Sequence, residues 1–370
     1  MIGAALIASL LLAGAPPAPS PLEQRIFDLS LSPRSGPTPR LSPELTRAAR
    51  TLAHDVAAHG PAALSPERLR AALAAAGAFD PAPEARYERA TPDAAAARAG
   101  LALRGLPATD VGVGAFVAGG TAHVVVLAST RRASLSPFPA RVEPGAVVRL
   151  RGALVGLRAP ELHLTLPSGE VRETALGPGP AFAADVRFAG PGRYVLEVTG
   201  AGERGPTVAA LLPVACGDVP PEDPEAALAG DAGEERDPRE AVRAVVRAIA
   251  ALRDRHGLPR LAWSPALAEV ARRQSEAMAR AGEVAHVLPG AGGLEQRLRG
   301  VAYRRARENV ARGPSAIAAH RAAEESPAHR ANLLDRGARQ LGIGLVRRRL
   351  SSGEEEVFLT EILAEPETGP

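Results

Sequence analysis

The sequence contains no lysine: all 44 basic residues among its 370 are arginine. That absence excludes P-loop lysines, Schiff-base lysines and Ser–Lys dyads. Aromatic residues make up 3%, with one tryptophan, too few for the stacking platforms that bind single-stranded nucleic acid. The densest arginine cluster, Arg347–Arg349, reads as a solvated hairpin end rather than a phosphate track, so no nucleic-acid partner is expected. The single cysteine, Cys216, excludes an intrachain disulfide and a Cys-based zinc finger. It follows a strand-like run and reads as a small buried hydrophobe. Net charge is only +3. What is present is 46% hydrophobic residues in a chain long enough for two or three domains at roughly 100–200 residues each.

Residues 1–15 carry the only long apolar run, IGAALIASLLLAGA. It is too short for a comfortable membrane span and ends in the small-residue pattern Ala13-Gly14-Ala15. We read it as a signal peptide, although no basic residue precedes the apolar run. The mature chain is then expected in the periplasm or outside the cell, with no transmembrane segment. Residues 16–40 read as a Pro-rich linker. Residues 41–130 read as an α+β domain, starting with helices after Ser42-Pro43 and Ser65-Pro66 and ending in a hairpin around Gly119-Gly120. Residues 136–216 hold short β-rich runs at regular spacing, the pattern of an immunoglobulin-like β-sandwich. There His163 alternates with Leu162, Leu164 and Leu166 and is expected on the solvated face. Residues 217–237 read as an acidic linker.

Residues 238–366 form the most legible domain. Asp237-Pro238 starts a helix whose stripe is Val242, Val245, Val246, Ile249 and Leu252. Ser264-Pro265 starts a second helix that stops at Gly282, and Leu341–Val346 and Val357–Leu363 read as strands joined by a turn at Ser351-Ser352-Gly353. Helices with a small sheet imply an α+β or layered α-β-α arrangement. Two of the eight histidines have distinctive settings: His286 follows the second helix, and His329 lies in the first turn of a short helix started by Ser326-Pro327. A helix N-terminus favours the neutral imidazole there.

The ordered set Leu261-Ala262-Trp263-Ser264-Pro265, His286, Glu308-Asn309-Val310, Ser326-Pro327-x-His329-Arg330-x-Asn332-Leu333-Leu334 and Gly342-Ile343-Gly344 resembles the CAP superfamily, the SCP/PR-1-like proteins, in its bacterial secreted form. The resemblance covers about a third of the chain. It implies a three-layer α-β-α fold and a cleft with two histidines and two acids, here His286, His329 and Glu308. Glu324 or Glu325 is the candidate second acid. The sequence departs from the bacterial pattern at Ala323, where a tryptophan is usual. Two imidazoles with a carboxylate can hold Zn²⁺ or another divalent cation, for which His286 and His329 are the candidate ligands. They can also act as an acid/base set, or form a buried hydrogen-bond network. Asn309 and Trp263 read as structural, Trp263 as core; His256 and His320 read as solvated, His320 within pairing reach of Glu324 at helical spacing.

The segment from Leu41 to Arg50 parallels that from Trp263 to Arg272, and Val111-Gly112-Val113-Gly114 parallels Leu341-Gly342-Ile343-Gly344. Ser42 precedes Gly112 by 70 residues and Ser264 precedes Gly342 by 78. We therefore expect residues 41–130 to be a degenerate CAP-like relative without the cleft motifs. Three functions compete: a secreted module binding a lipid, envelope component or divalent cation; a metal-dependent peptidase or envelope hydrolase; and a structural envelope protein with a vestigial cleft. The binding module ranks first, because no serine or cysteine stands as a nucleophile.

Overall fold

The computed structural model describes residues 18–31, 38–220, 237–350 and 355–367. The expected signal peptide, the turn at 351–353 and residues 221–236 of the acidic linker lie outside the described residues. The chain divides into two compact units, Met1–Arg131 and Arg132–Pro370.

The first unit begins with a helix where the sequence suggested a linker. Helix α1 (Pro21–Ser30) carries a full capping box between Ser20 and Glu23, with proline at its first position. The prolines around it hid a helix start and the buried Ile26 that anchors it. Helices α2 (Pro43–His59), α3 (Pro66–Ala76) and α4 (Pro92–Arg104) and strands β1 (Arg40–Leu41), β2 (Glu84–Ala90), β3 (Asp110–Ala118) and β4 (Thr121–Ser129) complete the unit. The sheet order is β1-β3-β4-β2. Val125 and Leu127 meet α2 and α3 on one face; Val111, Val113, Val124 and Val126 meet α1 and α4 on the other.

The second unit opens with two sheets. Strands β5 (Ala133–Leu135), β7 (Val147–Leu154) and β10 (Ala181–Arg187) form one, in the order β10-β7-β5. Strands β6 (Arg141–Val142), β8 (Arg158–Thr165), β9 (Val171–Ala175), β11 (Gly192–Gly202) and β12 (Gly205–Cys216) form the other, in the order β6-β12-β11-β8-β9. Leu150, Phe182 and Val186 of the first sheet and Leu196 and Val198 of the second are buried, and Cys216 is buried and free. His163 does point away from Leu162 and Leu164, but it is buried rather than solvated. Its face of the sheet is covered, and the imidazole meets Thr199 Oγ1 at 3.2 Å.

The rest of the unit is a sheet with helices on both faces. Helix α5 (Pro238–Arg255) is followed by β13 (Ala262–Trp263), α6 (Pro265–Ala281), the short α7 (Leu294–Arg297) and β14 (Arg305–Gly313). Then come α8 (Ala316–Glu325), α9 (Pro327–Leu333), β15 (Gln340–Arg349) and β16 (Glu355–Glu365). Leu341, Ile343, Val357 and Leu359 pack on α5 and α8, while Ile362 and Ala364 pack on α6. Trp263, expected in the core, lies on the edge strand and is 48% exposed.

The two units share a plan. The order β13-β15-β16-β14 repeats β1-β3-β4-β2, with β1 parallel to β3 through Leu41↔Val111 and β13 parallel to β15 through Trp263↔Leu341. A Cβ on Gly344 would lie 2.1 Å from the Ala271 backbone, and one on Gly114 would lie 2.1 Å from that of Ala49. In both units glycine is what lets a helix approach the sheet this closely. Cross-strand partners then align the copies: Gly342 and Glu308 both flank Ile362, as Gly112 and Ala85 flank Leu127. Alanine thus stands where Glu308 would be, and Val126 stands where Glu361 would be.

Candidate functional site

Helix α6 ends at Gly282 in the left-handed conformation. The chain then doubles back, held by Gln274 Nε2 donating to the Ala285 carbonyl at 2.7 Å, and delivers His286 to β14. Its Nδ1 meets Glu308 Oε1 at 2.9 Å. Arg297, which the sequence reading missed, completes the cluster. Its guanidinium donates to Glu308 Oε2 at 2.6 Å and Oε1 at 2.9 Å, and to the His286 carbonyl at 3.1 Å. Burial alone would raise the Glu308 pKa; the hydrogen bonds and charges of His286 and Arg297 outweigh it and hold the carboxyl below its ordinary value.

His329 enters from α9, where Ser326 Oγ caps the helix. The His286 and His329 ring centroids are 6.1 Å apart. Loss of hydration, followed by the neighbouring His286 and His163, pushes the His329 imidazole down to about 3. It is neutral at physiological pH. Asn309 Nδ2 fixes its backbone, donating to the His329 carbonyl at 3.2 Å.

Behind this lies a second buried set. Asn309 Nδ2 also donates to Glu361 Oε2 at 3.0 Å, and His320 Nδ1 meets Glu361 Oε1 at 2.7 Å. His320 is therefore buried, not solvated. Burial acts to lower its pKa, but Glu361 overrides that and raises it. Glu361 was legible only as a lone acid in an apolar strand. Glu324 turns elsewhere, to Arg330 at 3.1 Å and Arg255 at 3.2 Å, with His320 at 3.7 Å. His286, Glu308 and His329 thus come together, and Glu324 does not join them.

Both Glu308 oxygens are engaged, one of them by two donors. A fixed guanidinium also stands beside the carboxylate, where a bound cation would be repelled. Among the described residues, no group of three or more His, Cys, Asp or Glu is placed to hold a metal ion. Glu308 is therefore not free to act as a metal ligand. Beside it, a cavity of about 810 Å³ is lined by Val270, Ala277, Leu288, Arg273, Arg280 and Arg297, among others.

Residues 246–360 match the model of the cysteine-rich secretory protein family, CAP. This segment is a CAP domain. Among solved structures, an outer surface protein of Borrelia burgdorferi is similar at 20% identity and TM-score 0.31, over 35% of this chain and 96% of that one. An extracellular protein containing a SCP domain from Bacillus anthracis is similar at 21% identity and TM-score 0.31, over 47% and 64%. A cysteine-rich secretory protein from Staphylococcus aureus is similar at 12% identity and TM-score 0.29, over 59% and 76%. No curated protein matches the sequence. No helix among the described residues is long and apolar enough to cross a membrane.

Proposed function

We propose that this is an extracellular binding protein. Its CAP domain takes an anionic amphiphile, such as an envelope lipid, in the cavity beside α6. The observation that carries the reading is the mixed lining of that cavity, apolar Val270 and Leu288 beside cationic Arg273 and Arg280. An acyl chain suits the first pair and an acidic headgroup the second. The acid of that lining, Glu276, is engaged by Arg272. Export is supported by the apolar N-terminal segment ending at Ala13-Gly14-Ala15 and by the family's secretory description. A hydrolase would draw on the same cleft, where Glu308 is already held by Arg297 and His286.

Within this reading the middle module is immunoglobulin-like. Tyr194 Oη donates to the Gly190 carbonyl four residues upstream at 3.0 Å, as in a tyrosine corner. The first unit is a CAP-like copy without a site, supported by the repeated sheet order and by Ala85 and Val126 at the site positions.

The test is titration of a dansylated fatty acid into the full chain. Saturable binding is expected, weakened about tenfold or more, some 1.4 kcal/mol, by Ala277→Trp, which fills the cavity, and by Arg280→Glu, with the melting temperature unchanged. Absence of binding, or equal binding by both variants, contradicts the reading.

A further inference from the structure

The outer face of the five-stranded sheet lies on the histidine side of the CAP domain. Glu197 of β11 accepts a hydrogen bond from Ser326 Oγ at 2.7 Å and another from the Ala328 amide at 3.0 Å. The turn between β8 and β9 supplies the Gly169 carbonyl to Arg330 Nε at 2.9 Å. The turn between β11 and β12 supplies the Arg204 carbonyl to the Val287 amide at 3.0 Å. A Cβ on Gly205 would lie 2.7 Å from the His286 Cβ. Three separate parts of the sheet therefore close over the segment carrying His286 and the helix carrying His329.

We propose that the two-sheet module is a displaceable lid over the His286/His329 side of the CAP domain, latched by the Glu197 carboxyl. A permanent interface gains most from apolar contacts, yet this one holds an acid that is 1% exposed and has only a hydroxyl and an amide as partners. Such a group is costly when ionised. On β8 its cross-strand partner is His163, flanked by Glu161 and Glu173. On β12 its partner is the uncharged Leu211. On α9 stand His329 and Arg330, the latter committed to Gly169 and Glu324. Arg307 of β14, near His163, is committed to Asp335. None of these cations bonds to Glu197.

Burial accordingly pushes Glu197 up to about 7. The closed lid holds this proton more tightly than an open lid, where the carboxyl returns to its ordinary value near 4.5. Glu197 alone therefore favours opening as pH rises, about tenfold per unit between 5 and 7, and levels off above 7. His163 and His329, both held neutral in the closed state, act oppositely and favour opening as pH falls below about 6.5. The wild-type profile is then a compromise, and only a comparison isolates the latch.

That comparison is amide exchange of the full chain and Glu197→Gln, corrected for intrinsic rates, read on residues 326–334. Glutamine stands for the protonated acid. The wild-type to variant ratio of α9 opening is expected to rise about tenfold per pH unit from 5 to 7, then flatten. Amides of β7 and β10 keep equal protection in both proteins, which separates lid opening from unfolding of the module. A ratio independent of pH, or α9 exchange that follows only global unfolding, overturns the lid. Neither outcome depends on what the cavity beside α6 binds.

Discussion

Replacing Arg297 by methionine is expected to cost the second unit about 3–5 kcal/mol, the usual loss when one partner of a buried ion pair is removed. The Arg297 and Glu308 side chains are 8% and 3% exposed, and Glu308 would keep only the His286 contact. The pair also predicts the pH dependence. Because the Glu308 pKa is lowered in the folded state, its contribution is present above the ordinary carboxyl value near 4.5. It is lost as pH falls through the lowered value. The gap between wild type and Arg297→Met should therefore shrink in acid, where Glu308 becomes neutral in both. Adding Glu308→Leu to Arg297→Met should recover most of the loss at neutral pH. Denaturant unfolding from pH 3 to 8 checks this; a constant gap would mean that packing, not charge, makes Arg297 important.

Arg253→Met is expected to be at least as damaging, at about 4 kcal/mol or more. Arg253 is fully buried, and no carboxylate among the described residues bonds to it. Its Nε donates to the Pro259 carbonyl at 2.9 Å, and its terminal nitrogens reach the carbonyls of Leu333 at 2.8 Å, Asp335 at 3.0 Å and Ala338 at 3.5 Å. One planar fork thus satisfies the end of α9 and the loop leading to β15. Methionine fills similar volume but strands these carbonyls, each costing about 1–3 kcal/mol when unpaired. Lysine cannot span the same set from one ammonium, so Arg253→Lys should recover less than half. Urea unfolding followed at Trp263, the single tryptophan, gives the values. Near-wild-type stability in Arg253→Met would show that these carbonyls find other donors.

What could be read in advance was whatever depends on short spacing. Ser264-Pro265 and Gly342-x-Gly344 are local signals for a capped helix lying close on a strand, and the same pair recurs at Ser42 and Gly112. His286, Glu308 and His329 were recognisable as an ordered set. The misses arise where a partner comes from far along the chain. His320 has Glu324 one turn away, so helical spacing suggested a surface pair, yet Glu361 beneath it takes the imidazole. Glu324 was a candidate, with Glu325, for its place on the helix before Ser326, but Arg255 and Arg330 draw it off. Glu197 is 129 residues from Ser326, and nothing local marks it. His163 was assigned the correct face of its strand; what covers that face is another part of the chain. Helix α1 was lost because its prolines were read as breaks, when Pro21 occupies a position a helix tolerates.

With Glu308 already neutralised by Arg297 and His286, the cluster with His329 is expected to be a fixed scaffold rather than a metal centre. Calorimetric titration of Zn²⁺, Ca²⁺ and Mg²⁺ into the full chain, with His286→Ala and His329→Ala alongside, tests it most directly. No tight binding by the wild-type chain is expected, and the same trace for both variants, which differ only in stability. Tight Zn²⁺ binding that disappears in both variants would contradict it: Glu308 would then exchange Arg297 for a metal, and the site would have to be read as a metal centre.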